Sequence, residues 1–211
     1  MENGGIRRKS LVEEIRIYIE GGGDGRETKS DFRRGFSQFF EQIIESARTK
    51  RIRWRIIACG SRESCRDDFI YALESHPQAF NILLVDSECE VTTSTKLHLK
   101  ERDNWTLPCS EDHCYLMAQT MEAWLIADPE TLSDYYGTRF NINAIPTPTD
   151  VEQITKETLY SSLITAPRNT QKGEYAKIRH GATLIGLINT QIVRNKAKHC
   201  DQLFDMLESL V

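Results

Sequence analysis

The stretch NILLVDSECE, residues 81–90, joins an uncharged segment, 81–85, to the closely spaced acidic residues Asp86 and Glu88. Residues 81–85 have the length and apolar character of a buried strand. Asp86 and Glu88 follow at once, separated by one serine. Two like charges at the end of a buried strand are costly unless positive charge compensates them. The stretch therefore predicts a buried strand that ends at a site for a cation or a basic group, although Asp86 or Ser87 as a helix cap remains an alternative.

A second stretch, IRIYIEGGGDG at residues 15–25, has the same organisation. Its apolar part predicts a strand that ends at Glu20 and is followed by three glycines. Glycines allow the backbone to approach a bulky anionic ligand, and Asp24 is close enough in sequence to add another ligand. A flexible turn with no ligand is the alternative for this loop.

Strand patterns alternate with helix patterns over the first half of the chain. The predicted strands are 15–20, 52–60, 81–90 and 113–119, and the predicted helices between them are 31–50 (capped by Ser30 or Asp31), 61–76 and 92–103. This alternation predicts an α/β fold with a mostly parallel sheet covered by helices on both faces. In such a sheet the carboxyl ends of the strands share one edge, so Glu20, Asp86 and Glu88 would meet if the first and third strands are neighbours.

The pattern changes after Asp128. Because Asp128 precedes Pro129, we expect it to cap a helix, and a role as metal ligand is the second choice. Residues 137–150 contain two prolines and predict a linker or a loop over the site. The remaining predicted helices are 150–165, 173–188 and 190–211. We therefore expect two parts: residues 1–128 with the sheet, and a helical region, 129–211, packed on or near the site.

Composition limits the function. The net charge of −4 argues against a protein that coats nucleic acid by bulk electrostatics. The basic stretch RTKRIRWR, residues 48–55, makes Arg53 and Arg55 candidate phosphate contacts, although a cation-rich helix end followed by a solvated strand explains them as simply. Six cysteines without a CxxC pair predict buried thiols, not structural zinc. No apolar run is long enough to cross a bilayer, so we expect a cytoplasmic protein without a membrane partner.

Several acidic and basic residues point to metal chemistry. Oxygen-only ligands such as Glu20, Asp86 and Glu88 suit Mg²⁺ or Mn²⁺. Glu122 lies in the apolar stretch 116–127 and needs a second metal or a basic partner, unless it is on an exposed helix face.

Lys177 and His180 are three residues apart and share a helix face. The lysine is suited to stabilising charge on a phosphodiester, and the histidine to contacting phosphate or shuttling a proton. Exposed polar positions on an amphipathic helix explain both residues equally well.

The segments IYIEGGGD (17–24) and LLVDSE (83–88) resemble the two signatures of the TOPRIM fold, a glutamate after the first strand and an acidic pair after the third. Glu88 stands where the pattern has aspartate. QTMEAWLIAD (119–128), YYGTRF (135–140) and YAKIRHG (175–181) further resemble a family of small bacterial TOPRIM-like proteins of undefined function, often encoded beside an AAA-type ATPase. The resemblance implies that residues 1–128 form a TOPRIM-like metal-binding domain.

TOPRIM domains occur in topoisomerases, primases and nucleases resembling the overcoming-lysogenization-defect enzymes. We expect neither of the first two, because a chain of 211 residues has no room for a strand-passage domain or for primase accessory regions. The resemblance implies a Mg²⁺-dependent (or Mn²⁺-dependent) nuclease acting on nucleic acid, a defence-type effector with an AAA-type ATPase partner.

Within that hypothesis each residue has an expected role. The predicted catalytic residues are Glu20, Asp86, Glu88 and Lys177, the predicted metal ligands are Glu20, Asp86, Glu88, Glu122 and Asp24, and the predicted substrate contacts are His180, Arg53 and Arg55. The alternative is a non-catalytic binding or regulatory subunit with a degenerate site, which Glu88 and the negative net charge favour. A phosphoacceptor receiver domain fits less well, because only one glutamate follows the first strand and the helical C-terminal region is large.

Overall fold

The structure is a computed structural model that describes residues 12–211; the first eleven residues of the predicted 1–128 segment lie outside this range. Its strands are β1 (Glu14–Glu20), β2 (Arg53–Gly60), β3 (Ala79–Asp86) and β4 (Cys114–Met117). They form one sheet in the order β2-β1-β3-β4, and every pairing in it is parallel. The predicted α/β class is confirmed, and β1 and β3, the two strands that end in acidic residues, are neighbours.

The helices connect the strands and then continue beyond the sheet. Within residues 12–211 they are α1 (Arg26–Phe39), α2 (Glu41–Thr49), α3 (Arg62–Ser75), α4 (Thr95–Asp103), α5 (Met121–Ala127), α6 (Pro129–Tyr136), α7 (Lys156–Thr165), α8 (Ala182–Leu187), α9 (Thr190–Lys196) and α10 (Lys198–Leu210). A single π-helical turn, Lys177–Gly181, precedes α8.

Both faces of the sheet are buried. Alternate residues of β1, such as Ile17 and Ile19, join a core that includes α1, α5 and the C-terminal helices, and here the Phe39 ring stacks on Trp124 with centroids 5.3 Å apart. Tyr18, which points the other way, joins a second core formed with α3 and α4. Burial on two faces explains why β3 reads as a nearly continuous apolar run.

Two predicted helices are interrupted. The predicted helix 31–50 begins earlier, after Gly25 instead of Ser30 or Asp31, and breaks at Phe40, whose ring is buried against Trp54 and Phe204. The predicted helix 190–211 breaks at Ala197, which has extended backbone angles. In both places the apolar periodicity continues through the break, so the pattern alone did not reveal a change in helix direction.

The helical region after residue 128 shares the main core with the sheet. Helices α8 and α1 pack with little space between them: a Cβ added at Gly35 would lie 2.1 Å from the Ala182 carbonyl oxygen. The predicted linker, 137–150, contains the short 3₁₀ turn Ile142–Ala144 and buries Ile145. This docking brings the π-helical turn, and with it Lys177, to the carboxyl edge of the sheet.

None of the helices between residues 12 and 211 has the length and apolar character needed to span a bilayer.

Candidate metal centre

Three carboxylates converge at the carboxyl edge of the sheet. Because β1 and β3 are parallel neighbours, Glu20 and Asp86 end at the same edge, and Glu20 Oε2 accepts a hydrogen bond of 3.2 Å from the Asp86 N–H. One oxygen from each of Glu20, Asp86 and Glu88 lies within 4.8 Å of the others. The expected meeting of these three residues is therefore observed.

The loop after β3 turns Glu88 towards this group. Glu88 has a φ of 68°, in the left-handed region, and its N–H donates to the Gln119 carbonyl at 2.8 Å. A side chain in this conformation costs about 1–2 kcal/mol, and such strain concentrates at functional sites. Helix α4 is capped by Ser94, so the alternative in which Asp86 or Ser87 caps the next helix is wrong.

Arg62 is a basic residue of the site that the sequence analysis missed. It is the first residue of α3, just beyond the end of β2, and its Nη1 donates to Glu20 Oε2 at 2.9 Å and to the Asp86 carbonyl oxygen. Its other nitrogens donate to Asp103 at 2.7 and 3.2 Å, and its guanidinium lies 4.9 Å from the Trp105 ring centroid. The available sequence signal was its position two residues after the predicted strand 52–60, at the edge of the sheet where Glu20 and Asp86 were expected to meet.

Lys177 lies between two buried carboxylates. Its Nζ is 3.1 Å from Asp86 Oδ2 and 3.5 Å from Glu122 Oε2. Glu122 is fully buried and also accepts a 2.9 Å hydrogen bond from the Tyr175 hydroxyl, so the exposed-face alternative for this residue is wrong. Of the two partners expected for Glu122, the structure provides the basic side chain. Lys177 starts the π-helical turn, a type of irregularity that is frequent at functional sites.

Further polar contacts hold the carboxylates of Asp86 and Glu88 in place. Asp86 Oδ1 accepts the Met121 N–H at 2.8 Å, and Asp86 is only 3% exposed. Glu88 pairs with Lys156 of α7 and, at 3.8 Å, with Arg102 of α4. Lys156 carried no sequence signal, because its approach to Glu88 depends on how the C-terminal region docks.

Burial and neighbouring charges shift the pKa values of the three carboxylates in different directions. Burial and, to a smaller extent, the nearby Asp86 charge raise the pKa of Glu20 to about 7, although the charge of Arg62 opposes the shift. Burial likewise raises the pKa of Asp86, against the opposing charge of Lys177. Burial would raise the pKa of Glu88, but Lys156 holds it below its usual value. The ionised forms of Glu20 and Asp86 are therefore incompletely compensated by the protein, an environment that favours an added cation.

The donor set fits a hard divalent cation. Six-coordinate Mg²⁺ bonds oxygen at about 2.1 Å, so its ligand oxygens lie between about 3 and 4.2 Å apart. The oxygens of the three carboxylates, all within 4.8 Å of one another, are close to this spacing. Glu20, Asp86 and Glu88 are thus the residues that would hold the ion.

Three predicted site residues, Arg53, Arg55 and Asp24, lie outside this group. Arg53 and Arg55 lie at the start of β2, opposite Glu14 and Arg16 of the parallel strand β1, so they sit about 20 Å and about 13 Å along the strand from Glu20. Asp24 is exposed and lies outside the carboxylate cluster found among residues 12–211. The predicted roles of these residues at the metal site therefore lack a geometric basis.

His180 lies in the protein interior. It is 2% exposed, its Nδ1 accepts the Ala176 N–H at 3.1 Å, and the Tyr136 hydroxyl is 3.3 Å from the same nitrogen. Burial lowers its pKa, which favours the neutral ring. The prediction that His180 contacts substrate is corrected. His180 lies in the same π-helical turn as Lys177, but its buried ring hydrogen-bonds to the backbone just before that turn. Asp128, in contrast, caps α6 as expected, accepting the Thr131 N–H at 3.2 Å.

A parallel sheet with three carboxylates and a partly exposed lysine at its carboxyl edge defines an α/β protein with a candidate divalent-cation site. Residues 19–208 match the family described as Domain of unknown function (DUF4276), and the chain belongs to this family. Searches of curated proteins and of solved structures gave no match.

Proposed function

We propose that this protein is a Mg²⁺- or Mn²⁺-dependent nuclease that hydrolyses phosphodiester bonds in DNA or RNA. The observation that carries the proposal is the convergence of the Glu20, Asp86 and Glu88 carboxylates beside Lys177. A divalent cation held there would supply Lewis-acid activation of water and neutralise charge on the phosphate. The resemblance of IYIEGGGD and LLVDSE to the TOPRIM signatures supports the same chemistry.

The side chains of the site have separate tasks in this proposal. Glu20, Asp86 and Glu88 bind the cation. Lys177, whose side chain is 35% exposed, can turn its ammonium group from Asp86 to a phosphoryl oxygen and stabilise the negative charge that grows there. Glu122 positions Lys177, since both of its carboxylate oxygens already accept hydrogen bonds from Tyr175 and Lys177. Arg62 holds Glu20 and the end of β3 in place.

A defence-type role together with an AAA-type ATPase is part of the proposal. Its support is the resemblance of residues 119–128, 135–140 and 175–181 to the TOPRIM-like family encoded beside such ATPases. Nucleic acid is the substrate implied by the same resemblance.

The second candidate function is a non-catalytic binding or regulatory subunit. It is favoured by one observation: each of the three carboxylates already has a basic partner, Arg62 for Glu20, Lys177 for Asp86 and Lys156 for Glu88. Calorimetric titration with Mn²⁺ separates the two candidates, because a regulatory subunit has no need of a divalent cation at this edge.

The decisive variant is Asp86→Asn, which keeps the side-chain volume and an acceptor for the Met121 N–H. Single-stranded and duplex DNA and RNA would be incubated with the full-length protein and Mn²⁺ or Mg²⁺, in parallel with Glu14→Gln, a control at the other end of the same sheet. We expect Asp86→Asn to lose cleavage by at least about 100-fold, the scale of losing a group that stabilises transition-state charge. Glu14→Gln should cleave normally. Equal cleavage by Asp86→Asn and wild type, or no Mn²⁺ uptake by the wild type, would refute the proposal.

A further inference from the structure

A cavity of about 210 Å³ opens beside Glu20. Its walls are the glycine loop 21–23, Phe32 of α1, and Ile178 and Ala182 from the π-helical turn and α8. Glu20 and Lys177 also line it, so the cavity adjoins the candidate metal centre. The lining thus joins an apolar interior to a charged boundary, an arrangement typical of ligand sites.

The absence of side chains on the glycine loop keeps this cavity open. Gly21, Gly22 and Gly23 have φ values of 125°, 85° and 62°, a conformation that other residues rarely adopt. A Cβ on Gly21 would lie 2.7 Å from Phe32 Cζ, and one on Gly23 would lie 3.2 Å from Ile178 Cδ1. Two 2.9 Å backbone hydrogen bonds between Gly21 and Gly60 hold the loop in this position.

Ile178 forms the outer wall. It directly follows Lys177 in the π-helical turn, and it is 56% exposed. An exposed aliphatic residue means little by itself. Here, however, Ile178 and the buried ring of Phe32 both line one small space that adjoins a lysine and the candidate metal ligands.

We propose, on the basis of the nuclease function proposed above, that this cavity receives one unpaired nucleobase of the substrate while the adjoining phosphate lies against Lys177 at the border of the candidate metal centre. A nucleotide has the matching chemistry: a flat ring with apolar faces, joined to an anion. The volume is below the roughly 300–1,000 Å³ of pockets for drug-sized ligands, which suits one ring system. Bases gain affinity by packing on aromatic and apolar side chains without a strict sequence requirement.

The proposal defines a substrate class. A base inside a duplex is covered by its neighbours and must be unstacked before it can enter, whereas a single strand or an unpaired end presents the base freely. The protein should therefore prefer single-stranded or unpaired nucleic acid to intact duplex.

The direct test is methyl NMR of the full-length protein labelled at isoleucine Cδ1, without divalent cations. Nucleoside 5′-monophosphates are the probe, and ribose 5-phosphate, which has the anion but no base, is the control ligand. We expect the nucleotides to shift the Ile178 methyl resonance and ribose 5-phosphate to leave it in place. Equal shifts with both ligands, or no shift with the nucleotides, would overturn the base site.

A matched pair of variants tests whether Ile178 contributes to the binding of single-stranded nucleic acid. Ile178→Ala should weaken single-strand affinity of the Asp86→Asn protein by roughly fivefold, as expected for losing part of an apolar contact. Leu187→Ala, an aliphatic control that is 51% exposed at the end of α8, should leave it unchanged. Equal effects of the two substitutions, or none at Ile178, would contradict the proposal.

These measurements separate the base site from the nuclease function. Nucleotide-specific shifts in a protein that never cleaves nucleic acid would support the base site and remove the nuclease proposal. Cleavage of single strands and duplexes at equal rates, without an Ile178 shift, would keep the nuclease and remove the base site.

Discussion

The two ends of β1 each carry a glutamate, and their surroundings are opposite. Glu14, at the amino end, contacts three guanidinium groups, from Arg16, Arg53 and Arg55. Burial would raise the pKa of Glu14, but Arg16, with help from the other two, lowers it below its usual value. Glu20, at the carboxyl end, faces another buried carboxylate, and its pKa is raised to about 7. The same side chain on the same strand is thus stabilised as an anion at one end and destabilised at the other.

The difference lies in the balance of charge. Among residues 12–211, the ion pairs at the carboxyl edge join five carboxylates to four basic side chains: Glu20, Asp86, Glu88, Asp103 and Glu122 with Arg62, Arg102, Lys156 and Lys177. At the amino edge a single carboxylate meets three arginines. The carboxyl edge therefore has negative charge left over in a buried place, as expected where an open parallel sheet binds ligands.

The largest expected effect is on stability and comes from replacing one arginine at each end. Arg62→Met removes the partner of the mostly buried Glu20 and Asp103 and should lower the free energy of unfolding by about 3 kcal/mol. Arg55→Met at the amino end, where solvent screens the pair, should cost less than about 1 kcal/mol. Urea denaturation of both variants measures the difference. Similar losses of unfolding free energy in the two variants would contradict the stated difference in charge balance between the two edges.

The second prediction replaces one glutamate at each end and follows Mn²⁺ binding by calorimetry. Glu20→Gln removes a proposed ligand and should weaken Mn²⁺ affinity by at least about 100-fold, since even the loss of groups that only support ligands costs 10–100-fold. Glu14→Gln should bind Mn²⁺ like the wild type. An unchanged affinity in Glu20→Gln would remove this residue from the metal site.

The smallest expected effect concerns pH at the amino end. Because the folded pKa of Glu14 lies below its ordinary value of 4.5, its ion pairs stabilise the fold above that pH and lose this contribution as the pH falls and the carboxylate is protonated. Wild type should exceed Glu14→Gln in unfolding free energy by less than about 1 kcal/mol at neutral pH. Denaturation curves between neutral pH and pH 3 should show the gap closing. A gap that widens in acid would reverse the assigned sign.

The sequence predicted those features that depend on local patterns. Runs such as ILLV within β3 identify a buried strand, and the alternation of strands with helices identifies a parallel sheet. Since parallel strands end at one edge, the sequence predicted that Glu20 and Asp86 meet if the first and third strands are neighbours, and the order of the sheet meets that condition. Asp128 was also predictable, because a cap depends only on the residues that follow it.

Features that depend on distant contacts were not predictable. Arg53 and Arg55 were assigned to substrate because their charge was visible, but their end of the strand is the wrong one. His180 appeared to share an exposed face with Lys177, whereas the π-helical turn directs it into the core. Lys156 reaches Glu88 only because the C-terminal helices dock on the sheet, a contact across 68 residues that no local pattern records.

Anomalous diffraction from a crystal of the full chain soaked in Mn²⁺ tests the central claim most directly. The claim is that a divalent cation compensates the crowded carboxylates at the carboxyl edge of the sheet. It predicts an anomalous peak in contact with Glu20, Asp86 and Glu88 at about 2.1–2.3 Å from their oxygens. A fully soaked crystal without a peak there, with the three carboxylates still held by Arg62, Lys177 and Lys156, would contradict it.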